Sequence, residues 1–159
     1  MKRLPLLFLF FCPLAHAEDT SSAFEQFRQV AQPAAEKLGE KIVFQYDPGK
    51  HILKIGRELK INELRKMTQI QTVKIDYLED AGALDGVPSM PEPWIKIRCL
   101  NNEKHVQVDS SQTVDGAEIE DLAKSETLRF LIIPCRQKDL KAVLEAYATF
   151  RESFKNKGT

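Results

Sequence analysis

The sequence has few of the residues from which catalytic motifs are built. Its 159 residues include 3 histidines, 3 cysteines and 7 glycines. It contains no Gly-x-Ser-x-Gly, no His-Glu-x-x-His and no glycine-rich phosphate-binding loop. We therefore expect a protein that is not an enzyme and that uses no cofactor. One alternative stays open, in which carboxylates that are distant in the sequence gather into a catalytic site.

An excess of charge and a long apolar run are both absent. The 23 Lys and Arg residues balance the 23 Asp and Glu residues. Binding to nucleic acid depends on a clear excess of basic residues, so we expect no nucleic-acid partner. The apolar run at residues 4–14 is well below the ~20 residues that a membrane-spanning helix needs, so we expect no membrane anchor.

The N-terminus has the layout of a secretory signal peptide. Residues 1–3 form a short basic region, residues 4–14 are apolar, and Ala15-His16-Ala17 has the small-x-small pattern of a cleavage site. The sequence predicts cleavage after Ala17 and a periplasmic or secreted product. A lipoprotein signal at Cys12 is disfavoured, because the bulky Phe10 and Phe11 precede it. Residues 18–159 are expected to form a single globular domain, whose oligomeric state the sequence leaves open.

The exported part would retain two cysteines, Cys99 and Cys135. A pair of cysteines in an oxidising compartment commonly forms a disulfide. The Cys-x-x-Cys spacing of redox proteins is absent, which disfavours a catalytic pair. The sequence therefore predicts a structural disulfide between Cys99 and Cys135.

The hydrophobic pattern predicts an α+β fold. Apolar residues with helical spacing indicate helices near residues 22–38 and 140–155, and six short strands are expected at 42–46, 51–55, 72–78, 94–100, 106–108 and 128–133. Their connections are turns or irregular loops, which favours an antiparallel sheet or a small barrel with both helices packed on it. Between about residues 42 and 154 this order of elements loosely resembles that of pleckstrin-homology-like barrels, and the resemblance implies no ligand.

Acidic residues are concentrated in two connections between predicted strands, residues 79–93 and 110–126. Together these hold nine acids and one lysine, Lys124. The acids that we single out are Glu79, Asp80 and Asp85 in the first connection and Asp115, Glu118, Glu120 and Asp121 in the second. The spacing matches no calcium-binding loop, so no metal is expected. We expect the two connections to form one surface that recognises a basic protein partner, as an inhibitor or immunity-type protein would.

A second candidate surface lies on the predicted strand at residues 94–100. Trp94, Lys96 and Arg98 alternate with apolar residues and so point to one face of the strand. A tryptophan beside two cations is typical either of a ligand platform or of a side chain that covers the end of a sheet. A periplasmic carrier of a small ligand or lipid is the alternative function, and it requires an apolar cavity.

The signal-peptide prediction is tested by intact mass spectrometry of the protein purified from its native compartment. We expect a chain that begins at Glu18 and carries no lipid, because the small side chains at Ala15 and Ala17 fit the cleavage site. A mass that includes a diacylglycerol group on Cys12, or one that retains residues 1–17, would contradict this prediction.

Overall fold

The computed structural model describes residues 14–36, 41–84 and 94–155. These residues form an α+β fold with mostly antiparallel strands and no closed barrel, so the predicted class is confirmed in its open-sheet form. The helices are α1 (Leu14–Glu36) and α2 (Leu140–Lys155). The strands are β1 (Lys41–Asp47), β2 (Ile52–Lys60), β3 (Arg65–Lys74), β4 (Leu78–Leu84), β5 (Trp94–Cys99), β6 (Val106–Val114), β7 (Ala117–Glu118), β8 (Lys124–Leu128) and β9 (Phe130–Pro134).

The strands are divided between two sheets. The large sheet has the order β1-β2-β3-β6, and β7 and β8 pair with the two halves of β6. The small sheet has the order β4-β5-β9. Strand β7, most of β4 and β8, and the second half of β6 lie in the connections that the sequence interpreted as acidic loops. Those connections are therefore partly ordered as sheet.

The core lies between the two helices, the inner face of the large sheet and one face of the small sheet. Phe27 of α1 stacks on Phe150 of α2, with ring centroids 5.7 Å apart. Tyr147 of α2 and Phe44 of β1 contact Phe27 edge-on. Burying each large apolar side chain contributes about 1.5–3 kcal/mol before ordering entropy is subtracted, so this aromatic cluster is a main support of the fold.

Helix α1 differs from its prediction at its start. In the described residues it already extends from Leu14, eight residues before the predicted start at residue 22. As predicted, it continues through Pro33. The face that carries Phe24 and Phe27 is buried as expected. Packing of this face against α2 therefore outweighs the local cost of the proline.

A buried glutamine joins the two sheets. Gln71 of β3 is 3% exposed, and its side-chain amide lies against the backbone of Ile132 in β9. Its Nε2 donates to the Ile132 carbonyl at 3.1 Å, and its Oε1 accepts from the Ile132 N–H at 3.2 Å. Because β9 is an edge strand of the small sheet, this one side chain takes the place of a neighbouring strand.

Helix α2 is fixed to the small sheet at an irregularity in β4. The pairing of β4 with β5 shifts register between Leu78 and Ala81. The Tyr147 hydroxyl donates to the Glu79 carbonyl at 2.9 Å, and the Arg151 guanidinium donates to the Leu78 carbonyl at 2.5 Å. Burial raises the pKa of Tyr147, so its hydroxyl stays protonated and remains a donor at any physiological pH.

The structure does not contain the predicted disulfide. Cys99 and Cys135 are both buried thiols, and burial raises the pKa of the Cys99 thiol. Cys99 lies opposite Arg129 at one end of the β5–β9 pair, whereas Cys135 follows the other end, where Trp94 pairs with Pro134. Six residues of strand separate position 129 from position 135, which is about 20 Å at the usual rise. A disulfide needs Cα atoms within about 7 Å, so this fold excludes that pairing.

The link between the sheets is tested by the substitution Gln71→Met. Methionine has nearly the same shape but leaves both backbone groups of Ile132 without their partner. We expect a loss of about 2 kcal/mol in the free energy of unfolding, measured by denaturant titration. The control is Gln45→Met, at an exposed position of β1, which we expect to change stability by less than about 0.5 kcal/mol. Equal stability of the two variants would show that the amide bridge is not needed.

Candidate functional site

The large sheet extends well beyond the core at one end. Residues 58–68 of β2, β3 and their turn include no buried residue, and neither do residues 109–118 of β6, β7 and their turn. The buried positions of these strands, such as Leu53, Val73 and Val106, lie in the other half. The far half of the sheet is therefore held by strand pairing and not by the core.

Two turns meet at this far end and form the candidate site. We call residues 61–64 and 115–123 the tip. The Asp115 N–H donates to the Leu64 carbonyl at 2.9 Å and joins the two turns. The side chain of Asn62 accepts from the N–H groups of Leu64 and Arg65 at 3.0 and 2.8 Å. The first turn is thus closed by its own asparagine.

The second turn is ordered in a similar way. Asp115 and Gly116 have φ values of 50° and 80°, which is the backbone of a two-residue hairpin turn between Val114 and Ala117. Beyond it, the Ile119 N–H donates to the Gln112 carbonyl at 2.9 Å. The chain then completes a short 3₁₀ turn over Glu120–Leu122. Both turns of the tip therefore have defined backbone hydrogen bonds.

The tip carries two strongly exposed apolar side chains. Leu64 is 60% exposed and Ile61 is 50% exposed, and in the described residues no other large apolar side chain is more exposed. Both lie between the strands that the sequence predicts at residues 51–55 and 72–78. Two large apolar side chains this exposed on one short ordered turn are the apolar part of the candidate site.

The tip is also uniformly acidic. Its five ionisable residues are all carboxylates, and all of them are exposed: Glu63, Asp115, Glu118, Glu120 and Asp121. No lysine or arginine lies within residues 61–64 or 115–123. Four of these acids were predicted as site residues, and Glu63 is the one that sequence reasoning missed. Strand pairing between β3 and β6 brings it to the others.

The first acidic connection does not join the tip. Glu79 and Asp80 follow the near end of β3, and the ten residues of β3 span about 30 Å. They lie instead around a cleft of about 390 Å³ together with Lys96, Arg98 and Arg151, which gives a surface of mixed charge. The single acidic surface that the sequence predicted is therefore divided in two. Asp85, the remaining predicted acid, lies outside the described residues.

Trp94 is engaged within the molecule. The guanidinium of Arg57 lies 5.1 Å from the centroid of its ring, and Arg57 is itself only 6% exposed. Lys96 is similarly placed 4.5 Å from the ring centroid of Phe130. Trp94, Lys96 and Arg98 do share a face, as predicted, but two of the three already contact other side chains of the chain. The Arg57–Trp94 contact joins β2 to β5 and so stabilises the junction of the two sheets.

The described residues contain neither a cluster of metal-binding side chains nor a helix able to span a membrane. Within residues 14–36, 41–84 and 94–155, no three His, Cys, Asp or Glu side chains are grouped closely enough to hold a metal ion. In the same part of the chain, neither helix combines the length and apolarity that crossing a bilayer requires.

Comparison with known proteins gives no relative. No protein-family model matches the chain, and no significant match was found among curated proteins or solved structures. Function is therefore inferred from the geometry of this chain alone.

Proposed function

We propose that this is an exported, non-catalytic binding protein that binds a basic surface of a partner protein through its tip. The observation that carries the proposal is the convergence of five exposed acids, on two joined turns, with the two most exposed large apolar side chains of the described residues. Inhibitors and immunity-type proteins act by binding of this kind.

The two kinds of side chain have separate roles. Burial of Leu64 and Ile61 against the partner supplies affinity, since apolar area removed from water is favourable. The acids raise the rate of encounter with a cationic surface and exclude anionic ones. The hydrogen bonds that order both turns reduce the conformational entropy that binding would otherwise remove.

The character of the clefts favours a protein partner over a small apolar ligand. A cleft of about 600 Å³ lies beside α1 and the β1–β2 hairpin. Its lining includes Glu25, Arg28, Asp47, Lys50 and Lys54, whose charges are unsuited to a lipid tail. In the described residues the two most exposed large apolar side chains, Ile61 and Leu64, lie at the tip and not in this cleft.

The proposal is tested with a variant that neutralises the tip. This tip variant carries Asp115→Asn, Glu118→Gln, Glu120→Gln and Asp121→Asn, which keep side-chain size and allow the positive φ at position 115. The control variant carries Glu36→Gln, Glu103→Gln, Glu126→Gln and Glu145→Gln, the same charge change at exposed positions outside the tip.

A partner captured by cross-linking the wild-type protein in its native compartment provides the measurement. We expect both variants to melt within a few degrees of wild type, because the altered side chains are exposed. We expect the tip variant alone to associate at least about tenfold more slowly at low ionic strength, with a flatter salt dependence. An association rate and salt slope equal to those of wild type would show that the tip is not the binding surface.

A further inference from the structure

The outer face of the large sheet has an apolar centre around a glycine. By outer face we mean the side chains of β1, β2 and β3 that alternate away from the core. Gly56 of β2 pairs with Val43 on one side and with Ile70 on the other. Val43 and Ile70 are 42% and 41% exposed. The missing side chain thus leaves a hollow between two exposed apolar residues.

The fold does not require a glycine at position 56. Its φ is not in the left-handed region, and its pairing with β1 and β3 is in continuous register. A Cβ atom added there would come no closer than 4.0 Å to another atom, the carbonyl oxygen of Val43. A glycine inside a strand weakens it and often marks the close approach of a ligand or another backbone. A ligand or another backbone bound on this face would explain why position 56 is a glycine.

The outer face carries two hollows, one on each side of Ile70. The hollow at Gly56 has a volume of about 390 Å³ and is lined in part by Val43, Ile70 and Lys54. A second hollow of about 370 Å³ lies beyond Ile70 and is lined in part by Asp109 and Ser111. Ile70 is therefore a ridge between two depressions.

The charge of the outer face is opposite to that of the tip. Five lysines project from it on β1–β3: Lys41, Lys54, Lys60, Lys66 and Lys74. The acids on the same face of these strands are Asp47 and Glu58, and Glu58 is paired with Lys66 at 3.5 Å. The molecule thus carries a basic surface with an apolar centre and, at the end of the same sheet, an acidic surface with two apolar projections.

We propose that the tip of one molecule docks on the outer face of a second copy of this chain, with Ile61 or Leu64 seated over Gly56. The inference rests on the proposed role of the tip and names one partner for it. Because the contact joins two different surfaces, each bound molecule still has one unused tip or face. Such a heterologous contact builds an open-ended assembly unless the rotation closes a ring.

The contact is weak and sensitive to salt. The tip has thirteen residues, whereas a standard interface uses about 20–30 residues on each side. The complementary charges are exposed and are screened within about 8 Å at physiological ionic strength. Association is therefore expected at high protein concentration and low salt.

Two complementary variants test the contact by sedimentation analysis. The first is the tip variant defined above, in which the hollow at Gly56 and the outward side chains of β1, β2 and β3 are intact. The second, the face variant, carries Gly56→Val and Ile70→Glu, which fill the hollow and add a negative charge while the tip stays intact. The control is Thr127→Glu, an exposed position on the outer side of β8 that lies away from the hollow.

We expect the average mass of the wild type and of the control to rise with concentration and to pass that of a dimer. Each blocked variant alone is expected to associate at least about tenfold more weakly. An equimolar mixture of the two is expected to form a one-to-one complex and to stop there, because only one intact tip and one intact face can meet. This restored pairing distinguishes the contact from a general loss of stability.

Three results would overturn the inference. Wild type that stays monomeric at low salt would do so, as would a mixture with no heterodimer, or assembly that ends at a symmetric dimer. The outcomes also separate this inference from the proposed function. If the wild type is monomeric but the tip variant binds a different partner protein more weakly than the wild type does, only the second-copy inference fails. Self-association that neither variant weakens would exclude this contact. Unchanged binding of the different partner protein by the tip variant would exclude the proposed function as well.

Discussion

The arrangement of the two sheets depends on the pair of hydrogen bonds between the Gln71 side chain and the backbone of Ile132. Gln71 is 3% exposed, so leaving its side-chain amide without a partner would cost about 1–3 kcal/mol. The amide satisfies the donor and the acceptor together, which a hydroxyl or an apolar side chain at position 71 would not do. It thereby fixes the edge of the small sheet at one position along β3.

This anchoring divides the large sheet into two halves with different roles. The near half is covered by α1 and α2 through the rings of Phe27, Phe150 and Tyr147. The far half contains no buried residue and is held by ladder hydrogen bonds and by the closed turns at its end. The core therefore supplies stability, and the far half holds the tip away from it, where a partner has access.

Local patterns in the sequence were sufficient for the parts of the fold that are locally encoded. The face of α2 with Val143, Tyr147 and Phe150 was predictable from helical spacing, and the β1–β2 hairpin from Pro48-Gly49. Asp47 closes that turn by accepting from the N–H groups of Gly49 and Lys50. Strands β4 and β8 were missed because LEDAGAL and KSETL lack a clear alternation of apolar and polar residues. Pairing with neighbours makes them strands, and a single sequence does not reveal that pairing.

The candidate site was predictable only in part for the same reason. The acids at 115–121 were recognised by composition, but Glu63 and the apolar Ile61 and Leu64 join them through the register of β3 with β6. The predicted disulfide was wrong for this fold because it was inferred from the expected oxidising compartment, which gives no information on strand register. Cys99 and Cys135 lie at opposite ends of one strand pair.

Amide hydrogen exchange tests whether the fold presents an ordered tip far from its core. The N–H groups of Arg65, Asp115 and Ile119 each donate a hydrogen bond that orders a turn of the tip. We expect these amides to exchange more than about tenfold more slowly than in an unfolded peptide, because each requires a local opening. Exchange of all three at the unfolded rate, with the core amides still protected, would contradict a pre-ordered tip.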